Sequence, residues 1–131
     1  MTLFTPSSAA LGQALQAENS LLVVCFCAAW CDTCTEYKAK FQGLAAQYPE
    51  VVFVWADIEE FPDLLGDEDV ENFPTLAIER AGDVLFYGVM LPHIGQLERL
   101  IQTFTPESST HPIQTALAPL SESLKHAPKE Q

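Results

Sequence analysis

Basic side chains are scarce in this chain: six Lys and Arg stand against eighteen Asp and Glu, a formal charge of −12 at neutral pH. A surface of that sign repels phosphate backbones and anionic headgroups, so neither nucleic acid nor a membrane is expected as a partner. Long apolar stretches are missing too. The run from Leu21 to Trp30 reaches about half of the ~20 residues that a membrane-spanning helix needs. No basic stretch lies in Met1-Thr2-Leu3-Phe4-Thr5-Pro6, so no secretory leader is read there and a cytoplasmic protein is the expectation. Cysteine is sparse as well, four in 131 residues, too few for a scaffold stapled by disulfides in place of a core. Hydrophobic residues make up 48% of the chain, enough at this length for one domain with a core of its own.

What is present is concentrated. All four cysteines fall between positions 25 and 34, a clustering that points to chemistry at one place. Leu21-Leu22-Val23-Val24-Cys25-Phe26-Cys27 is continuously apolar and β-favouring, the pattern of a strand covered on both faces. Cys34, Tyr37, Phe41, Leu44, Ala45 and Tyr48 recur at helical spacing until Pro49, so a long helix starts at the cysteines. Val51-Val52-Phe53-Val54-Trp55 reads as a second buried strand, and a strand–helix–strand unit requires the two strands to run parallel.

Around this unit, Thr5-Pro6 with Ala10, Leu11, Ala14 and Leu15 predicts a first helix at about 6–18. Residues 61–72 are acidic and interrupted by Pro62 and Gly66, as suits a connector. Thr75–Glu79 and Val84–Tyr87 flank Arg80-Ala81-Gly82-Asp83 and read as a hairpin. Leu97, Leu100, Ile101 and Phe104 form the stripe of a final helix. Beyond Thr105 the composition turns to Pro, Ser, Thr, Gln and Lys. The domain is therefore set at 1–104, with 105–131 a polar tail in which Pro106, Pro112, Pro119 and Pro128 forbid a long element.

Trp30-Cys31-Asp32-Thr33-Cys34 sits at the strand-to-helix turn. A thiolate at a helix N-terminus meets unpaired N–H groups and the positive end of the dipole, which lowers its pKa and makes it nucleophilic. A second cysteine three residues on lies one turn away on the same face, within reach to resolve a mixed disulfide. Taken alone, Cys-x-x-Cys also suits a structural metal half-site.

With Phe73-Pro74-Thr75 before the hairpin, the element order and the Trp-Cys-x-x-Cys motif resemble the thioredoxin family over about residues 3–104. The resemblance implies an α/β thioredoxin fold, a central mixed sheet flanked by helices, with the tail appended. It makes Cys31 the attacking and Cys34 the resolving cysteine of a redox-active disulfide, with no further cofactor and no metal. Trp30 becomes part of a substrate-facing rim, although core packing would explain it equally. Pro74 becomes a cis-proline that brings the Phe73 backbone beside the sulfurs, where an extended substrate could add as a strand with Thr75 following; without the resemblance an ordinary trans turn would be preferred.

Several positions depart from the family, and they are read as tuning the site. Asp32 and Thr33 replace Gly-Pro between the cysteines, adding a carboxylate that disfavours a neighbouring thiolate yet suits the helix dipole. Cys25 stands where the family carries a buried acid, and Trp55 where it carries the accompanying lysine, so that proton-handling pair is missing. Ala39 takes the place of a helix-kinking proline. Cys25 and Cys27 face the same side of their strand and read as two small buried hydrophobes; the alternative places one of them near Cys34 as an extra redox or metal-ligating sulfur. Two sulfurs fixed in a central strand converge poorly on the tetrahedron a four-thiolate metal site needs. His93, His111 and His126 are scattered and receive no role.

The function expected is a thiol–disulfide oxidoreductase that reduces protein disulfides, with a reductase flavoprotein or a thiol pool as electron donor. The alternative is a non-catalytic binding module, co-chaperone or redox sensor on the same fold.

Overall fold

The computed structural model of the chain describes residues 3–4, 21–28, 32–48, 51–59, 74–80, 83–89 and 94–104, with no side-chain detail at 3, 4 and 83. The first helix at 6–18, the connector at 61–72 and the tail at 105–131 lie outside these residues.

Five strands form one mixed sheet, β1 (Leu3–Phe4), β2 (Leu21–Cys27), β3 (Val52–Asp57), β4 (Thr75–Arg80) and β5 (Asp83–Val89), in the order β1-β3-β2-β4-β5. β2 occupies the centre. It runs parallel to β3, with Leu22 opposite Val52 and Cys27 opposite Asp57, and antiparallel to β4, with Leu21 opposite Arg80 and Phe26 opposite Thr75. All seven of its residues are buried, as its unbroken apolar run requires of a strand with neighbours on both edges and cover on both faces. β1 is only two residues long and pairs parallel to β3, Leu3 with Phe53. So short a segment carries no periodicity, and its sequence does not announce it.

β3 runs two residues past the expected Trp55 because its ladder with β2 continues to Asp57. The expected hairpin forms from β4 and β5, with a register shift between Ile78 and Glu79. β5 also outruns its expected end at Tyr87 and pairs as far as Val89 opposite Thr75.

Two described helices pack on the sheet, α1 (Asp32–Gln47) and α2 (Ile94–Phe104). α1 buries Cys34, Tyr37, Phe41, Leu44 and Ala45, the single stripe that a 3.6-residue period brings to one face. It ends at Gln47, two residues before Pro49, which disfavours helical geometry in the residue preceding it. α2 contributes Leu97 and Ile101 to the same core. Odd-numbered residues of β2 and β3 (Val23, Cys25, Cys27 and Phe53) join that cluster with Leu76 and Ile78 of β4. Phe41 lies at its centre, 5.3 Å from Phe53 edge-to-face, 5.7 Å from Trp55 and 6.2 Å from Tyr37 between ring centroids. The two helices are also tied at their polar edges: Tyr48 donates to Glu98 at 3.0 Å and accepts from the Gln102 amide at 3.1 Å.

Candidate functional site

The carboxyl end of β2 and the first turn of α1 meet at one corner of the sheet. Strand alternation turns Cys25 and Cys27 toward the helix layer. One turn into α1, Cys34 points back at the sheet and is 2% exposed. Cys27 and Cys34 are joined there by a disulfide, with 5.8 Å between their Cα atoms, well inside the span such a bond requires. The partner expected for Cys34 is Cys31; in this structure the bonded sulfur is that of Cys27. Reading Cys27 as a small buried hydrophobe is therefore corrected: it is buried, at 1% exposure, but it is a redox partner. Cys31 itself, with Trp30 and Phe73, lies outside the described residues.

Cys25 keeps a free, fully buried thiol, as expected of it, and its sulfur is 3.7 Å from that of Cys27. Three sulfurs thus share one buried pocket of the core. Burial pushes the Cys25 thiol well above its ordinary value, because removing a thiolate from water forfeits its solvation. In register beside Cys25 stands Trp55, so the missing acid–lysine pair is replaced by a thiol next to an indole. Lys38 of α1 places its ammonium 5.7 Å from the centroid of that ring, close enough for a cation–π contact.

The other candidate residues take the following places. Asp32 opens α1 and is exposed, while Thr33 is half-buried. Pro74 is buried in a bend immediately before β4. Thr75 is 2% exposed and lies opposite Phe26, so Pro74-Thr75 enters the sheet at the end where Cys27 and Cys34 meet. Among the described residues, no group of three or more His, Cys, Asp and Glu is placed to hold a metal ion, and no helix is long and apolar enough to cross a membrane.

Tyr37, one turn beyond Cys34, is fully buried, and its hydroxyl has no hydrogen-bond partner among the described residues. Burial, and secondarily a negative charge on Cys25, push its pKa up. Around the ordinary values of 9.0 for the thiol and 10.0 for the phenol the unfolded chain begins to release protons that folded Cys25 and Tyr37 retain, so stability is unaffected by these groups well below those values and falls as pH rises through them. Urea titrations of the reduced chain should show a midpoint that drops between pH ~8 and ~10, with a shallower drop in Cys25→Ala. A wild-type midpoint constant across that interval would contradict the burial of these protons.

The Cys27–Cys34 pairing is the feature that cysteine spacing alone hides, since seven residues separate the two. The two periods show only that both side chains face inward, one from the last residue of a strand and one from the first turn of the helix that follows; the packing of helix on strand decides that they meet.

Comparison with known proteins fits this arrangement. The thioredoxin family model matches residues 3–100. The chain is 30% identical over 86 residues to thioredoxin of Geodia cydonium, covering 65% of this chain and 81% of that one. It is 37% identical over 64 residues to putative thioredoxin H10 of Arabidopsis thaliana, covering 49% of this chain and 42% of the relative, so it spans less than half of that protein's length. Among solved structures, oxidised mitochondrial thioredoxin 3 of Saccharomyces cerevisiae is 26% identical, with a TM-score of 0.63, over 77% of this chain and 94% of that one. Thioredoxin NaTrxh of Nicotiana alata is 25% identical, with a TM-score of 0.66, over 78% and 91% of the two chains. A family match that runs from β1 into α2, together with the strand order and the Cys-x-x-Cys at the strand-to-helix corner, leads to one assignment: the chain belongs to the thioredoxin family.

Proposed function

We propose that the chain reduces protein disulfides in the cytoplasm, with Cys31 attacking and Cys34 resolving. The observation that carries this reading is the position of Cys34: a buried sulfur in the first turn of α1, already engaged in disulfide chemistry, three residues after the cysteine of a Trp-Cys-x-x-Cys sequence. The Cys31 thiolate attacks one sulfur of the substrate disulfide, forming a mixed disulfide and expelling one substrate thiolate. The Cys34 thiolate then attacks Cys31, forming Cys31–Cys34 and expelling the second substrate thiolate, so that two electrons pass to the substrate. A reductase or a thiol pool returns them. In this reading an extended substrate pairs with the backbone at Pro74-Thr75, whose side chains are buried, and Trp30 and Phe73 are assigned to the same substrate-facing rim.

Helix α1 supplies the driving force for attack. Its free N–H groups and dipole favour a thiolate just before its first turn, while Asp32 in that turn adds a negative charge that opposes one. Asp32→Gly should therefore lower the pKa of Cys31, modestly, because Asp32 is exposed and water screens it. Ultraviolet titration of the thiolate reads this; an unchanged or raised pKa would mean that the acid's interaction with the dipole dominates.

Insulin reduction with dithiothreitol as donor tests the function. Turnover by the wild-type chain that is lost in Cys31→Ser supports it, and no turnover by the reduced wild-type chain overturns it in favour of a binding module. Alkylation gives a second check. Cys25, Cys27 and Cys34 are each no more than 2% exposed, so iodoacetamide should modify Cys31 first in the reduced protein.

A further inference from the structure

The function just proposed uses two cysteines, whereas the structure bonds one of them to a third. We propose that Cys34 is shared between two mutually exclusive disulfides, one with Cys31 formed during turnover and one with Cys27 in the core, and that exchange between them returns Cys31 as a free thiol while shutting off the two-cysteine cycle. The inference rests on the reading of Cys31 and Cys34 as the working pair.

Each step balances without an external oxidant. Substrate reduction leaves Cys31–Cys34 oxidised. Cys27, as thiolate, attacks the sulfur of Cys34; the Cys27–Cys34 bond forms, the Cys31–Cys34 bond breaks, and Cys31 leaves as thiolate. The proton lost by Cys27 is matched by the one Cys31 can take up, and the chain holds one disulfide before and after. Attack in this direction is favoured when the leaving thiol has the lower pKa, as a thiol preceding the helix N-terminus does relative to one buried in a strand.

Two observations support Cys27 as a working sulfur. It lies within bonding distance of Cys34 across the strand–helix corner, with the backbones at a spacing a disulfide accommodates. Both sulfurs are buried, at 1% and 2% exposure, so a macromolecular reductant cannot make the direct approach to either sulfur that exchange demands. Reopening then falls to a thiol of the same chain. Two thiols of the chain can do so: Cys25, 3.7 Å from the Cys27 sulfur, and Cys31, whose attack on Cys34 reverses the exchange. While Cys27 holds Cys34, Cys31 remains a single nucleophile: it can form a mixed disulfide but cannot resolve it.

Peptide mapping distinguishes the two pairings. Cleavage after Trp30 separates Cys27 from the segment carrying Cys31 and Cys34, so Cys27–Cys34 links two peptides whereas Cys31–Cys34 closes a loop within one. The reduced full-length chain is oxidised with one equivalent of dithiobis(nitrobenzoate), free thiols are blocked with iodoacetamide at successive times, and the digest is kept acidic to prevent shuffling. The expected result is a within-peptide disulfide that declines as the two-peptide species grows, with carbamidomethyl on Cys31 rising in step. Cys27→Ser, and Cys27→Ala as a second variant, should stop at the within-peptide disulfide and leave Cys31 unlabelled. Wild type that retains only Cys31–Cys34 at equilibrium, or variants indistinguishable from it, would overturn the inference. Insulin reduction by the same wild-type preparation reads the underlying function separately, so turnover without exchange removes only the second disulfide, and absence of turnover removes the working pair.

Discussion

Cys34→Ser should attack a substrate disulfide and then fail to let go, accumulating a stoichiometric mixed disulfide on Cys31 while multiple-turnover insulin reduction falls by about a thousandfold or more. The size of the loss comes from replacing an intramolecular resolving thiol, whose effective concentration for a well-oriented group exceeds that of any thiol in solution by orders of magnitude, with external thiol. Cys34 lies in the first turn of α1, three residues after Cys31 in the chain, so the resolving thiol is tethered close to the mixed disulfide by the same turn. Intact-mass analysis reads the trapped species, and a gel-based insulin assay reads the turnover. A variant that turns over within tenfold of wild type would show that another sulfur resolves the mixed disulfide, and Cys27 would then be the first to replace.

Phe41→Ala is the substitution expected to damage the fold most. Phe41 is fully buried, and its ring contacts those of Tyr37, Phe53 and Trp55, so it joins the helix layer to the β3 face at the middle of the core. Removing the ring forfeits its transfer energy and leaves a cavity that three stiff aromatic neighbours cannot collapse to fill, a cost of about 3–5 kcal/mol. Against a stability of roughly 5–15 kcal/mol for a domain of this size, that is enough to unfold part of the population under mild conditions. Urea unfolding of wild type and variant measures it, and a loss below about 1 kcal/mol would mean that the ring is not packed as described. Phe41→Leu, which refills much of the volume, should recover most of the difference.

Much of this architecture can be read from residue order because period and burial agree. The seven apolar residues from Leu21 to Cys27 fit only a central strand, and β2 has those bounds. The stripe from Cys34 through Tyr37 and Phe41 to Ala45 could serve only as one face of a helix beginning at the cysteines, which is what α1 buries. Strand ends were less legible. β3 and β5 each continue two residues past the ends expected at Trp55 and Tyr87, since a ladder extends as far as its neighbour offers partners. β1 could not be read at all, because two residues supported wholly by pairing to β3 leave no local pattern.

At the site, Cys34 stood out through its helical position, whereas Cys25 and Trp55 were marked only by the family resemblance, and it is the parallel register of β2 and β3 that sets them side by side. The bond from Cys27 to Cys34 was legible only as the less favoured alternative, which set one of the two strand cysteines near Cys34 as an extra redox sulfur without saying which. Whether two inward side chains touch depends on how far along the strand the helix lands, a tertiary distance that neither period carries.

Arg80 donates a hydrogen bond to the carbonyl of Phe104, fixing the last residue of α2 to the last residue of β4. Since β4 starts with Thr75 opposite Phe26 and ends with Arg80 opposite Leu21, that anchor sits at the end of the sheet away from Cys27, about six residues or ~20 Å along the strands. The exit of the helix and the sulfurs are therefore at opposite poles. A chain cut after Phe104 and coupled to a bead or an electrode by that end should present its sulfurs outward from the support, and coupling through Leu3 would forgo this orientation, since β1 lies along the edge of the sheet and is anchored to neither pole.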